Sequence, residues 1–341
     1  MKGAGPGRRA ARLCGVALLV LGWSGCGGGA EAETGADTEA GAETEAGAET
    51  ETETGSGADT DAGAETEAGA ETDGGAETET DGGSTSRCWG VGRPLQVIAH
   101  RGGALLRPEH TLVAYDHALA IGADVLELDL HASSDGTVVV IHDATVNRTT
   151  DGTGAVAGMD FAALRALDAG WAFEDSAGGH PWRGQGLQIP SLDEVLERYP
   201  GTCMSLELKA PGLDVADAVV ALLDAHQATG DVLLVSFADE PLQHLRATRP
   251  ELATGMSLSE MLEFAALDDE TFADWQTAAR IWQPPYEGVD ATSLGRAHAR
   301  GLVAQPWTVD HAEDMTRLID LGVDGIITND PQTLLELLGR R

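Results

Sequence analysis

Between residues 95 and 328, short apolar runs alternate with stretches of helical periodicity. The apolar runs predict strands over 95–99, 124–130, 137–141, 204–208, 232–236, 302–308 and 325–328, with weaker ones over 252–256 and 281–284. Helices are predicted between them over 111–121, 161–167, 191–196, 215–226, 241–249 and 312–321. Ser191, with Glu194 three residues on, forms the capping-box pattern of a helix start. Strands alternating with helices imply right-handed β-α units and a largely parallel sheet. The expected fold is therefore α/β, a TIM-type (β/α)8 barrel. Nine candidate strands compete for eight places, so one is misassigned or lies outside the barrel. Residues 143–190 are Gly-rich, polar and mostly irregular, which predicts an insertion on the catalytic face.

Within this pattern one strand is electrostatically odd. In Val125-Leu126-Glu127-Leu128-Asp129-Leu130, alternation puts the three leucines on one face and Val125, Glu127 and Asp129 on the other. Two carboxylates on one buried face are costly to desolvate and repel each other, and a bound cation is the simplest compensation. Met204-Ser205-Leu206-Glu207-Leu208-Lys209 repeats the logic, with Ser205, Glu207 and Lys209 sharing a face. His100 and His142 end two other strands. Gly102-Gly103, after His100 and Arg101, reads as backbone passing close to a ligand. Singly, each has a bland reading as a surface histidine or a salt bridge. Together, three carboxylates make an all-oxygen site for one divalent cation, Ca²⁺ or Mg²⁺. Arg101 and Lys209 supply charge for a phosphoryl group, and the two histidines supply acid and base. The implied reaction is metal-assisted cleavage of a phosphodiester.

The first 86 residues change the picture of where this chemistry occurs. Residues 1–26 join a basic start (Lys2, Arg8, Arg9, Arg12) to an apolar run and end in Trp23-Ser24-Gly25-Cys26. This resembles a bacterial lipoprotein signal with Cys26 as the lipidation site, although Trp23 stands where an aliphatic residue is preferred. Cleavage by ordinary signal peptidase is the alternative. Residues 27–86 carry 18 acids, no Lys or Arg and no large apolar residue, and so read as a disordered acidic spacer. A flexible chain of that length spans roughly 40–45 Å. The expected location is exported and membrane-anchored. Residues 87–341 hold 17 basic and 38 acidic side chains, a surface that disfavours nucleic acid and would attract metal ions. Two cysteines remain in this domain. Cys88 precedes the first strand and Cys203 opens a later one, so they form either a disulfide or two buried thiols. Nothing in the sequence sets the oligomeric state.

The ordered motifs carry a family resemblance. They are Ile98-Ala99-His100-Arg101-Gly102, Pro108-Glu109-His110-Thr111, residues 122–129, Asp135-Gly136, His142-Asp143, Arg148-Thr149-Thr150, Ile189-Pro190-Ser191-Leu192, Glu207-Leu208-Lys209, Ser236-Phe237, Trp307-Thr308-Val309 and residues 325–328. In this order they resemble the glycerophosphodiester phosphodiesterase family. The resemblance implies a TIM barrel that hydrolyses glycerophosphodiesters to sn-glycerol 3-phosphate and an alcohol. It implies Glu127, Asp129 and Glu207 as ligands of one cation, His100 and His142 as the acid–base pair, and Arg101 and Lys209 as phosphate ligands. Glu109 would lie near the metal or the substrate hydroxyls. Trp307 would form an apolar wall, or else line the barrel core. Two positions depart from the pattern: His110 and Asp310 stand where the family usually or often has Asn. His110 is not counted as a third catalytic histidine. The alternatives are a lysophospholipase D or related barrel phospholipase acting on acylated lipid, and a binding protein on a dead barrel. The complete residue set argues against the last.

Overall fold

In the computed structural model of the chain, residues 88–210 and 212–341 are described. The signal, Cys26 and the spacer lie outside them. Nine strands form: β1 (Gln96–Ala99), β2 (Val125–Ala132), β3 (Val138–Val140), β4 (Cys203–Leu208), β5 (Val232–Val235), β6 (Ala253–Thr254), β7 (Ile281–Trp282), β8 (Val303–Ala304) and β9 (Gly325–Thr328). Parallel pairing runs β6-β5-β4-β2-β1-β9, and β7 pairs with β8. Backbone bonds close the cylinder. Met256 N–H donates to the Ile281 carbonyl and Arg280 N–H to Thr254, joining β6 to β7. Asp324 N–H donates to Ala304 and Ile327 N–H to Pro306, joining β8 to β9. Eight strands thus make the barrel. The ninth is β3, which pairs antiparallel with the far end of β2, Leu130 opposite Val140. The excess strand of the sequence is real and lies outside the barrel.

The alternation read from β2 holds. Leu126, Leu128, Leu130, Leu206 and Leu208 face outward into the apolar layer beneath the helices. Inside, a second core stacks Ile98, Val125, Leu233, Ile281, Val303 and Ile327 on Cys88 and Trp89, which plug the lower end. Cys88 and Cys203 are joined as a disulfide, with Cα atoms 5.7 Å apart. A ladder of amides crosses the interior. Gln96 Nε2 donates to the Cys88 carbonyl, Gln305 Nε2 to Gln96 Oε1, and Gln283 Nε2 to Gln305 Oε1. Gly325 leaves room for it, since a Cβ there would stand 3.2 Å from the Gln305 side chain.

The insertion folds over its own small core of Val139, Ile141, Val146, Val156, Leu164 and Ile189. Its helix is shorter than expected, Phe161–Arg165, and it returns to β3 at Pro190 and Ser191. Ser191 and Glu194 make the expected capping box. The same chemistry at Ser257 and Glu260 starts a helix over Leu258–Ala266 that the sequence reading leaves out. No helix among the described residues is long and apolar enough to cross a membrane.

Candidate active site

The upper strand ends deliver the charged residues to one pocket, lined among others by His100, Arg101, Glu127, His142, Glu207 and Lys209. Register explains the convergence: Asp129 of β2 is directly paired with Glu207 of β4, so both inward carboxylates stand at the same height. One ligand oxygen from each of Glu127, Asp129 and Glu207 lies within 4.8 Å of the other two. These three are the only such group among the described residues.

The protein's own cations balance this cluster unevenly. Lys209 Nζ lies 3.1 Å from Asp129 Oδ1 and 2.9 Å from Glu207 Oε2, and Arg101 Nε lies 3.5 Å from Asp129 Oδ2. Burial works against ionisation of Asp129, but the charge of Lys209 and the hydrogen bond from His110 outweigh it and hold that carboxyl well below the usual range. Burial and the charge of Asp129 push the Glu127 carboxyl well above it, and burial lifts Glu207 to about 7 despite Lys209. Two of three carboxylates are therefore short of positive charge. A hard divalent cation on this all-oxygen set supplies what is missing, so the residues fit a metal ion.

The first loop is shaped by steric demands. Arg101 and His110 both adopt left-handed backbone, with φ of 54° and 56°. The His110 N–H closes the loop on the Arg101 carbonyl, and the Arg101 N–H donates to Glu127 Oε2 at 2.9 Å. Left-handed backbone favours Asn, Asp and His among non-glycine residues, which accounts for His110 where Asn is usual. Gly102 has a packing role of its own. A Cβ there would sit 2.8 Å from the Ala114 side chain, so the glycine lets the loop cross the helix Leu112–Ile121.

The two histidines are held differently. His100 is buried, and burial followed by the Arg101 charge lowers its pKa to about 3. Its Nδ1 lies 2.7 Å from Asn329 Oδ1, and Asn329 Nδ2 and N–H both donate to Asp310. Asp310, the second departure from the family pattern, thus steadies the partner of His100. His142 leaves β3 with Nδ1 2.6 Å from Asp143 Oδ1, and His131 Nε2 lies 3.1 Å from its carbonyl. Trp307 lies at the border of core and pocket. It packs on the inner core, meets Phe237 edge-on and lines the pocket with Met256 and Met261, while its Nε1–H donates to the Gln283 carbonyl.

Glu109 stands behind Arg101. It is absent from the pocket wall and reaches the carboxylate cluster only through Arg101, whose Nη1 lies 3.1 Å from Glu109 Oε1. Two arginines draw it away, since Arg148 donates to it as well. Conversely, the sequence reading passed over His110 as a partner of the site. It is buried, with Nε2 2.8 Å from Asp129 Oδ2 and Nδ1 2.8 Å from the Tyr115 hydroxyl. The signal in the sequence was its departure from the family's usual Asn.

Comparison with known proteins adds to this geometry. Residues 100–333 match the model of the Glycerophosphoryl diester phosphodiesterase family. The chain belongs to that family. It is 33% identical over 247 residues to the glycerophosphodiester phosphodiesterase of Bacillus subtilis, covering 69% of this chain and 83% of that one. A mouse lysophospholipase D is 26% identical over 273 residues, covering 71% and 85%. Among solved structures, a phosphodiesterase of Oleispira antarctica in complex with the product sn-glycerol-3-phosphate aligns with TM-score 0.60 and 28% identity, covering 72% of this chain and 96% of that one. The glycerophosphodiester phosphodiesterase of Agrobacterium tumefaciens aligns with TM-score 0.60 and 29% identity, covering 71% and 99%.

Proposed function

We propose that the protein hydrolyses glycerophosphodiesters to sn-glycerol 3-phosphate and an alcohol, using one divalent cation, Ca²⁺ or Mg²⁺, held by Glu127, Asp129 and Glu207. The observation that carries this reading is the convergence of those carboxylates with two histidines and two cations in one pocket. When bound, the cation polarises a phosphoryl oxygen and lowers the pKa of a hydroxyl or water. Lys209 and Arg101 orient the phosphate and balance its charge. Trp307 and Phe237 offer an apolar face to the carbon skeleton.

The hydrogen-bond partners suggest a division of labour between the histidines. Asn329 turns its Oδ1 to His100, because its Nδ2 is committed to Asp310. His100 then carries its proton on Nδ1, leaving the Nε2 lone pair as a base. Asp143 on His142 Nδ1 fixes the orientation of the ring, which suits the acid that protonates the leaving oxygen. Release of glycerol phosphate from several head groups, with EDTA and metal add-back, tests the whole reading. Metal-independent turnover, or near wild-type turnover in Glu127→Ala, would overturn it.

A second reading, lysophospholipase D activity on acylated lipid, is favoured by one observation. The pocket is lined by apolar side chains as well, Phe237, Met256, Met261 and Trp307 among them. Cleavage of lysophosphatidylcholine against glycerophosphocholine separates the two. On either reading we place the enzyme outside the cytoplasm, tethered to a membrane through lipid on Cys26. Loss of membrane association in Cys26→Ala tests that placement.

A further inference from the structure

Arg148 lies in the insertion and is absent from the pocket wall, yet its guanidinium holds two carboxylates at once. Nε donates to Asp143 Oδ2 at 2.8 Å and Nη2 to Asp143 Oδ1 at 3.2 Å. Nη1 donates to Glu109 Oε2 at 2.7 Å and Nη2 to Glu109 Oε1 at 2.8 Å. Both pairs are bidentate forks, a geometry that a guanidinium supplies and an ammonium does not. Each carboxylate also reaches inward. Asp143 Oδ1 meets His142 Nδ1, and Glu109 Oε1 meets Arg101 Nη1. The result is a continuous run, His142–Asp143–Arg148–Glu109–Arg101, in which the charged groups alternate in sign.

The two ends of this run reach the pocket from different pieces of chain. Arg101 follows β1 of the closed barrel, whereas His142 follows β3, which is appended to it. The backbone ties them through β2, where the Ile141 N–H donates to the Asp129 carbonyl, and Arg148 adds a direct link between the two loops. The side chain of Arg148 is 47% exposed, so its ion pairs contribute little to global stability. What two forks do supply is direction: they fix the plane of each carboxylate and hence the angle at which each meets its inner partner.

We propose that Arg148 is a positioning residue, a strut that sets His142 and Arg101 in register for catalysis without touching substrate. This rests on the phosphodiesterase reading given above. The test measures kcat, KM and thermal midpoint for the wild type, R148A and R148K in the full-length protein. The ¹⁵N resonance of His142 Nδ1 is followed alongside as a readout that needs no turnover. R148A is expected to lose about 10–100-fold in kcat, the range for partners that orient a ligating or reacting group, with KM and thermal midpoint little changed. R148K is expected to resemble R148A, because it returns the charge without the forks. Added guanidinium ion should restore part of the R148A loss, and the His142 Nδ1 resonance should move in both variants. Wild-type kcat in R148K, or an R148A loss matched by unfolding and unrelieved by guanidinium, would overturn the strut. An inactive wild type would instead defeat the phosphodiesterase reading, while a His142 resonance unmoved by R148A would defeat the strut independently.

Discussion

Strand β4 begins at Cys203, covalently bonded to Cys88, and four residues later presents Glu207 to a cluster of like charges. Strand β2 makes the same passage, from Val125 in the inner apolar core to Glu127 and Asp129 in the carboxylate cluster. The two ends of one cylinder are thus built to opposite ends. Below, a disulfide, a tryptophan plug and a ladder of mutually bonded amides fill the interior without like charges, and the Trp89 Nε1–H is left without a hydrogen-bond partner among the described residues. Above, burial raises Glu127 and Glu207 and holds three carboxylates together. The lower half stabilises the fold so that the upper half can remain electrostatically unfavourable until a cation binds.

The largest way to break this contrast is to open the lower end. The disulfide links positions 115 apart, and removing it with Cys203→Ser should cost about 4–5 kcal/mol in urea denaturation. Turnover per folded molecule should stay at the wild-type level; selective loss of activity before unfolding would show that the two ends are not independent. His142→Ala attacks the upper end alone. It should lower kcat by about 10²–10⁴-fold while moving stability by no more than about 0.5 kcal/mol, read by steady-state kinetics and calorimetry.

A finer test uses the cation. At a free concentration near 100 times its Kd, the metal should raise stability by about 3 kcal/mol, and EDTA should remove that gain. Glu207→Gln reverses the sign: in EDTA the variant should unfold at higher temperature than the wild type, and metal should add little to it. A variant less stable than wild type in EDTA would mean that the carboxylates are not strained. The smallest effect lies on the rim. Burial opposes ionisation of Glu109, but Arg148 and Arg101 outweigh it and hold the carboxyl down to about 2. A depressed carboxyl stabilises above its unfolded pKa, and that contribution is lost as pH falls from about 4.5 through 2. Because Arg148 is half exposed, screening limits the contribution to about 1 kcal/mol. Urea midpoints of R148A between pH 2 and 5 should therefore fall less steeply than those of the wild type.

Most of the barrel could be read from the chain because burial imposes a period of two on its longer strands. Leu126, Leu128 and Leu130 face out and Glu127 and Asp129 face in for that reason alone. The pattern weakens where a strand shrinks to two residues, as at Ala253–Thr254 and Val303–Ala304, and the predicted runs there are too long. The carboxylate triad was legible because its members sit on regular strands. His110, Glu109 and Arg148 were not, because their partners are fixed by loop conformation. His110 reaches Asp129 only when its backbone turns left-handed, and Arg148 meets Glu109 across 39 positions of sequence. The cysteine pair lay between these cases: two positions near the same barrel end left a bond and two free thiols equally open, and three-dimensional proximity was needed to decide for the bond.

The one antiparallel strand has a mechanical consequence. A closed cylinder is stiff because each of its staves is braced on both sides, and His100 is mounted at the rim of such a stave. His142 instead follows β3, which is held to β2 from Asp129 to Ala132 on one edge and meets Pro190 and Ser191 of the insertion on the other. The two histidines of the proposed acid–base pair therefore have different mounts, and that of His142 can be retuned by changes in the insertion while the barrel stays as it is.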